Sequence, residues 1–215
     1  MTDLESIGLL KIDFLGLKNL TIIEHIVKDI RKKDVPDFTM DQLVLDDQLT
    51  YQLLQKGRTL GIFQLESKGM QETLVKLKPT RFEDIVAVNA LYRPGPMAFI
   101  DTYIKRKEQQ ETVSYLHPDL QPILSDTYGV LIYQEQIMRV ANQFAGLSFG
   151  EADLLRRAVS KKNRAAIEKA KATFTAGCLK KGYDKDIIDE VFSWILNFAN
   201  YGFNRSHAVS YSLVS

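Results

Sequence analysis

Residues 148–158 read SFGEADLLRRA, and this stretch carries the clearest helix signal in the chain. Ser148, followed three residues later by Glu151, forms a capping box in which the hydroxyl accepts a backbone N–H while the acid reaches back to the first residue. The apolar residues that follow recur at helical spacing, so one side of the helix is predicted to be buried. They are Leu154, Leu155 and Ala158.

Helical periodicity continues in both directions and predicts a mainly α, multi-helical domain. The signals are an apolar stripe from Leu20 to Ile30 that ends in basic residues, a second capping box at Thr80 and Glu83, an Ala- and Lys-rich stretch over about 164–181 stopped by Gly182, and a restart at Asp184. Strand signals are few. Residues 8–15, 60–63 and 128–133 are predicted to form short strands.

The composition is that of an ordinary globular chain and excludes disorder and fibre. The chain has 215 residues, of which 45% are hydrophobic and 26% charged. The single cysteine, Cys178, permits no internal disulfide and suits a reducing compartment. No apolar run reaches the roughly 20 residues that a bilayer requires. We therefore expect a cytoplasmic protein without a membrane partner.

Positive charge is concentrated in one segment. From Arg156 to Lys185 there are ten Lys or Arg and two acids, a local net charge of +8 in a chain whose total is +1. Such asymmetry is the expected footprint of a surface that meets phosphate, although a solvated helix face is the plain alternative.

Arg156 and Arg157 are the sharpest candidates in this segment. Adjacent helical residues point about 100° apart, so the two guanidiniums can bind different oxygens of one polyphosphate from two sides. Lys161, Lys162 and Arg164 extend the cluster toward a template or primer backbone, where lysine adds affinity without sequence preference.

Lys11 and Asp13 lie on one face of the first predicted strand, because alternate residues of a strand share a face. A plain ion pair, or Asp13 serving the start of the next helix, is one interpretation. The functional alternative is a carboxylate that holds Mg²⁺ beside a lysine that meets the phosphates.

Residues 201–207, YGFNRSH, have the composition of a contact loop. Ser206 is predicted to cap a helix that starts there, with His207 facing outward. Taken alone, His207 is more often a hydrogen-bonded structural histidine than a phosphate ligand. His25, His117 and Cys178 are assigned structural roles, since none has a metal-binding or nucleophile partner at a suitable spacing.

Five stretches together resemble the catalytic alpha subunit of bacterial DNA polymerase III, the C-family replicative polymerases. In chain order they are residues 10–17 (LKIDFLGL), 61–67 (GIFQLES), 91–97 (LYRPGPM), 133–138 (YQEQIM) and 202–207 (GFNRSH). Five matches in the right order make chance similarity very unlikely.

The resemblance implies that residues 1–18 are the last strand of the palm and that 19–215 are the fingers, truncated at the C-terminus. Asp13 then matches one metal-binding carboxylate, and Lys11, Arg156, Arg157 and His207 match residues that contact the dNTP triphosphate. Lys161, Lys162, Arg164, Asn204 and Arg205 are implied contacts to the DNA primer and template.

The family's other two carboxylates lie in a segment that we do not find here, and two-metal nucleotidyl transfer needs several carboxylates. We therefore expect the full-length protein to polymerise DNA with Mg²⁺, and this fragment to be inactive and not to bind Mg²⁺ firmly. A sliding clamp and other replisome subunits are implied partners through regions outside this chain.

Two other classes of protein stay open. One is a non-catalytic helical module that binds nucleic acid through residues 156–185, and the other is a protein–protein scaffold with a basic helix. The module predicts that Arg156 and Arg157 govern DNA affinity without selectivity for nucleotide, and the scaffold predicts interactions that salt does not weaken.

Overall fold

The protein is mainly helical in a computed structural model that describes residues 4, 6–10, 12–160, 164–199 and 201–215. The eleven α-helices of this described part are α1 (Lys18–Lys33), α2 (Gln48–Gln55), α3 (Lys68–Leu77), α4 (Phe82–Leu91), α5 (Ile100–Lys107), α6 (Gln121–Leu124), α7 (Gln134–Gln143), α8 (Phe149–Ser160), α9 (Arg164–Lys180), α10 (Lys185–Ala199) and α11 (Arg205–Val214). The predicted mainly α class is confirmed. None of the described helices is long and apolar enough to cross a membrane.

The chain divides into two compact units, one ending at Val44 and one running from Leu45 to Leu213. In the first unit, α1 begins and ends close to the predicted stripe and its basic run. Val27 is the buried member of that stripe, whereas Leu20 and Ile26 are each 52% exposed. After α1 the chain turns back, and Arg31 Nε donates to the Phe38 carbonyl at 2.7 Å.

The second unit contains two hydrophobic cores. The first core is built on α2 to α5 and includes Leu65, Leu74 and Tyr103, together with Ala208 of α11. The second core is built on α6 to α10 and includes Phe144, Phe174 and Phe192. Phe192 is fully buried in this second core, and Trp194 and Phe198 are partly buried and pack against the core. All three aromatic residues therefore belong to the core, as the helical spacing predicts.

The segment 130–133 runs between the two cores, and this explains why its strand prediction is wrong. Val130 and Ile132 point into the first core, while Leu131 points into the second. The alternation is therefore real, but it comes from burial on both sides and not from a sheet. The buried Gln136 accepts the backbone N–H groups of Ile132 and Tyr133, both at 2.9 Å, which a neighbouring strand would otherwise bind.

The other two strand predictions also fail within the described residues. Residues 60–63 form turns, with Gly61 in the left-handed region at φ 82°. The described residues within 8–15, which do not include Lys11, form no β-ladder with another segment. An extended segment becomes a strand only when a second segment binds its backbone, and in the described part only Tyr133 and Phe203 form a bridge, in parallel orientation.

Of the two capping boxes that the sequence predicts, one is confirmed and one is wrong. Ser148 Oγ accepts the Glu151 N–H at 3.3 Å and Glu151 accepts the Ser148 N–H at 2.8 Å, so the box at the start of α8 is confirmed. The box at Thr80 and Glu83 is wrong, because the Thr80 N–H donates instead to the buried Asp84 at 3.0 Å. The long helix is confirmed as α9, followed by Gly182 at φ 86°.

Candidate functional site

The loop 201–207 is held against the start of α7 by backbone hydrogen bonds. Phe203 N–H donates to the Ile132 carbonyl, and Gln134 N–H donates to the Phe203 carbonyl, both at 2.9 Å. Glu135 accepts from Asn204 Nδ2 at 2.9 Å and from the Arg205 N–H at 3.0 Å. These contacts join residues about 70 positions apart into one corner of the second unit.

A second loop, residues 92–96, closes over the same corner. The Arg93 guanidinium donates to the Tyr201 carbonyl and lies 4.7 Å from the centre of the Phe203 ring. Burial lowers the pKa of Arg93, but arginine ordinarily titrates so far above neutrality that the group stays charged. Gly95, at φ 98°, leaves room for the Tyr201 ring, which would lie 2.5 Å from a Cβ there.

Arg156 reaches this corner from α8. Its Nη1 donates to Gln134 Oε1 at 2.9 Å, and Gln134 Nε2 in turn donates to the Gly202 carbonyl at 3.1 Å. A Cβ at Gly202 would lie 3.1 Å from the Gln134 side chain, so a larger residue there would have to displace Gln134 slightly. The orientation of Arg156 is therefore coupled to the position of the 201–207 loop.

One carboxylate binds both candidate arginines. Asp153 Oδ1 accepts from Arg156 Nε at 2.9 Å and Nη2 at 2.7 Å, while Asp153 Oδ2 lies 2.7 Å from Arg157 Nε. The hydrogen bond from Arg156 and the two positive charges hold the pKa of Asp153 below its ordinary value. The three side chains thus form a cluster with a net charge of +1 at neutral pH.

A line of rings runs from the same loop along α11. His207 is exposed, and its ring centre lies 5.6 Å from Phe203 and 4.2 Å from Tyr211. Tyr211 continues the line to Phe63, at 5.2 Å. His207 is thus exposed at the start of α11 while its ring contacts two aromatic neighbours at tilted angles. Its backbone N–H donates to Asn204 Oδ1 at 2.8 Å, so Asn204 caps this helix and the predicted Ser206 cap is wrong.

Four separated stretches of sequence therefore meet in the second unit: 61–67, 91–97, 133–138 and 202–207, with Arg156 beside them. A sequence model of the bacterial DNA polymerase III alpha subunit finger domain matches residues 19–182, which is more than half of the chain. The chain belongs to this family. The predicted resemblance is confirmed.

Curated relatives agree with the family assignment. DNA polymerase III subunit alpha of Halalkalibacterium halodurans is 54% identical over 215 residues, and that of Staphylococcus aureus strain COL is 55% identical over the same length. The alignments cover 100% of this chain but 19% and 20% of those relatives. The chain therefore spans about a fifth of the length of the polymerase subunits it matches.

The remaining predicted site residues of this finger-domain chain fall in different places. Lys11, Lys161 and Lys162 lie outside the described residues. Arg164 is exposed at the start of α9. Arg205 is exposed, with its guanidinium 5.8 Å from the centre of the Tyr133 ring. Burial raises the pKa of Tyr133, so its hydroxyl stays protonated beneath that guanidinium.

Asp13 belongs to the first unit, in a segment whose neighbours Phe14 and Leu15 are each 95% exposed. Within the described residues there is no group of three or more His, Cys, Asp or Glu side chains arranged to hold a metal ion. The described part of this chain therefore does not by itself supply the donor set that a Mg²⁺ site requires.

Some of the cations in the basic segment 156–185 bind other parts of the fold. Lys171 pairs with Asp189 at 2.9 Å, and Lys181 Nζ donates to the Gln143 carbonyl at 2.5 Å. The local charge therefore overstates what is available to a ligand. Lys169 and Lys180, in contrast, are exposed on α9.

Sequence reasoning missed Asp153, Gln134 and Arg93 as parts of the site. Asp153 had a usable signal, because it precedes the two arginines by three and four residues, the spacings at which helical side chains meet. Gln134 and Arg93 had no local signal, since each acts on residues of the 201–207 loop more than 60 positions away.

Cys178 and His117 have the structural roles that the sequence predicts. His117 Nδ1 accepts the Asp119 N–H at 3.2 Å. Cys178 is fully buried, and burial raises the pKa of its thiol to about 11.

We expect Cys178 to resist a chromogenic thiol reagent in the native protein at pH 8 and to react at once in 6 M guanidinium. Rapid native labelling would show that α9 opens at this point.

Proposed function

We propose that this chain is a segment of a bacterial replicative DNA-directed DNA polymerase, with residues 1–18 as the end of the palm and 19–215 as the fingers. In that protein the second unit binds the triphosphate of the incoming dNTP. The proposal extends from a family whose members are named as polymerase subunits to the activity of a longer protein, since the chain is about a fifth of those relatives.

The observation that carries the proposal is the convergence around Arg156. A triphosphate needs several fixed donors that are oriented in advance. Arg156 is fixed through Gln134 and Asp153, and Arg157 projects from the same turn of α8 with 62% of its side chain exposed. His207 and Arg205 contribute a second exposed group of donors at the start of α11.

Asp13 and Lys11 are assigned to the palm in this proposal. In the whole polymerase Asp13 would be one of several carboxylates that hold Mg²⁺, and the ion would supply the charge stabilisation that nucleotidyl transfer needs. The described residues do not form a complete metal site. Primer extension by the isolated chain is accordingly expected to be absent.

Contacts with DNA are assigned to Lys161, Lys162, Arg164, Asn204 and Arg205, with the primer and template backbone as partner. Asn204 and Arg205 lie beside Glu135, which accepts from both, so any contact they make with phosphate starts from a fixed loop. A cytoplasmic location, a sliding clamp and other replisome subunits belong to the same proposal, through parts of the protein outside this chain.

Replacing Arg156 or Arg157 with alanine in the full-length polymerase is expected to lower kcat/KM for dNTP by about ten- to a hundredfold. The estimate follows from the strength of hydrogen bonds to charged groups, about 1.5–3 kcal/mol each. The measurement is steady-state primer extension at varied dNTP, with primer–template affinity measured in parallel. Affinity for DNA is expected to change little.

Lys180→Ala is the matched control, because Lys180 is an exposed cation of the same basic segment but lies at the far end of α9. It should leave the use of dNTP unchanged. If the arginine variants instead lose DNA affinity and keep their response to dNTP, the non-catalytic nucleic-acid-binding module is the better description of the second unit.

A further inference from the structure

Asp153 stands between the two arginines in an arrangement that a simple surface ion pair does not need. Both of its oxygens are used, one by two nitrogens of Arg156 and the other by Nε of Arg157. Exposed pairs at this helical spacing contribute little to stability. With 29% of its side chain exposed, Asp153 lies near the surface of α8, so its value to the fold alone is small.

The cluster makes the two arginines unequal. Arg156 has partners at Nε, Nη1 and Nη2 and is 22% exposed, whereas the structure gives Arg157 a contact through Nε and leaves its side chain 62% exposed. Arg156 is thus fixed between Asp153 and Gln134. Arg157 is held at its inner nitrogen, and its outer part faces solvent, where an anion can approach it.

We propose that Asp153 is a positioning residue that fixes the guanidiniums of Arg156 and Arg157 for the dNTP triphosphate. The inference rests on the proposed function. It is unexpected on charge alone, because a carboxylate beside two arginines repels an incoming anion. If Asp153 positions the arginines, neutralising its carboxylate should weaken dNTP binding. If only its charge matters, the same change should strengthen dNTP binding, so one isosteric substitution tests the proposal.

The test is Asp153→Asn in the full-length polymerase, assayed by primer extension at varied dNTP and at saturating primer–template. If Asp153 positions the arginines, KM for dNTP rises by about tenfold, since small misplacements of binding groups are costly. If its charge only weakens anion binding, KM falls. If the ion pair is merely structural, the active fraction and kcat change while KM stays the same.

Asp153→Glu is the conservative variant, because its longer carboxylate can still reach residues three and four positions later on the helix. It should bring KM for dNTP most of the way back to the value of the unchanged protein. An unchanged or lower KM in Asp153→Asn would overturn the positioning role, even with Arg156→Ala and Arg157→Ala behaving as expected. If those two variants leave kcat/KM for dNTP unchanged, the proposed function itself fails, whatever Asp153 does.

Discussion

Replacing Gly177 with alanine is expected to destabilise the second unit by about 2–3 kcal/mol, the cost of overpacking a tight core. Gly177 lies inside α9, where alanine is ordinarily favoured over glycine by roughly 1 kcal/mol. Here a Cβ would overlap the Ala145 carbonyl oxygen and lie 3.1 Å from the carbonyl carbon. The obstacle is backbone, which cannot rotate away as a flexible side chain can.

The backbone around Ala145 is held in place from several sides. Asn142 Nδ2 donates to the Leu147 carbonyl at 2.6 Å, and the Leu147 N–H donates to the Ala141 carbonyl at 3.1 Å. Ala145 itself is buried. Relief of the overlap therefore requires α9 to move away from the 144–147 turn, which separates Phe174 and Cys178 from the second core.

Gly150→Ala is the matched control, because Gly150 is also helical and has no atom within 4 Å of a Cβ. It should stabilise by about 0.5–1 kcal/mol through the ordinary helix preference. Urea unfolding followed by circular dichroism measures both changes, compared at equal slope. A midpoint for Gly177→Ala at or above that of the unchanged protein would show that α9 and the 144–147 turn are not in close contact.

The fold was predictable where the signal is local. The box at Ser148 and Glu151 closes within four residues, so nothing distant competes with it. The box at Thr80 failed because Asp84, one residue beyond the expected acid, binds Tyr103 and Lys107 from α5. Tertiary contacts of this kind select one of two adjacent acids, and the local pattern cannot distinguish them.

In the candidate site, too, the features set by local sequence were predictable and those set by distant contacts were not. Arg156 and Arg157 were predictable as a pair, since their type and position on α8 are local properties. That Gln134 connects Arg156 to Gly202 was not predictable, because the connection depends on a backbone pairing of residues 132–134 with Phe203. The five stretches of the resemblance indicate that these residues matter together, but the physical reason is visible only in the fold.

Replacing Asp84 with alanine is expected to cost about 3–5 kcal/mol, the penalty for removing one member of a buried ion pair. Asp84 is completely buried and accepts from the Thr80 N–H at 3.0 Å and from Tyr103 Oη at 3.2 Å. Its carboxylate oxygens lie 3.4 Å from Arg81 Nε and from Lys107 Nζ. Burial, followed by the negative charge of Asp84, raises the pKa of Tyr103, so Tyr103 remains a donor.

The loss of Asp84 is expected to be severe because Lys107, its ion-pair partner, also binds the end of α3. Its Nζ donates to the Leu77 carbonyl at 3.1 Å and to the Lys78 carbonyl at 2.8 Å, at the end of α3. Lys78 is there in the left-handed region at φ 47°. Without Asp84, Lys107, whose side chain is 10% exposed, loses its carboxylate partner and keeps only the two carbonyls, and α3, α4 and α5 lose their shared contact.

A double-mutant cycle separates this ion pair from mere loss of packing. Asp84→Ala and Lys107→Met are each expected to destabilise, and the double variant should cost less than their sum by about 1–3 kcal/mol, because no uncompensated charge remains. Asp189→Ala removes the exposed pair with Lys171 and should change the urea midpoint little. Simple additivity of the two buried substitutions would mean that Asp84 and Lys107 do not interact, and that the other partners of Asp84 account for its whole effect. These partners are Thr80, Arg81 and Tyr103.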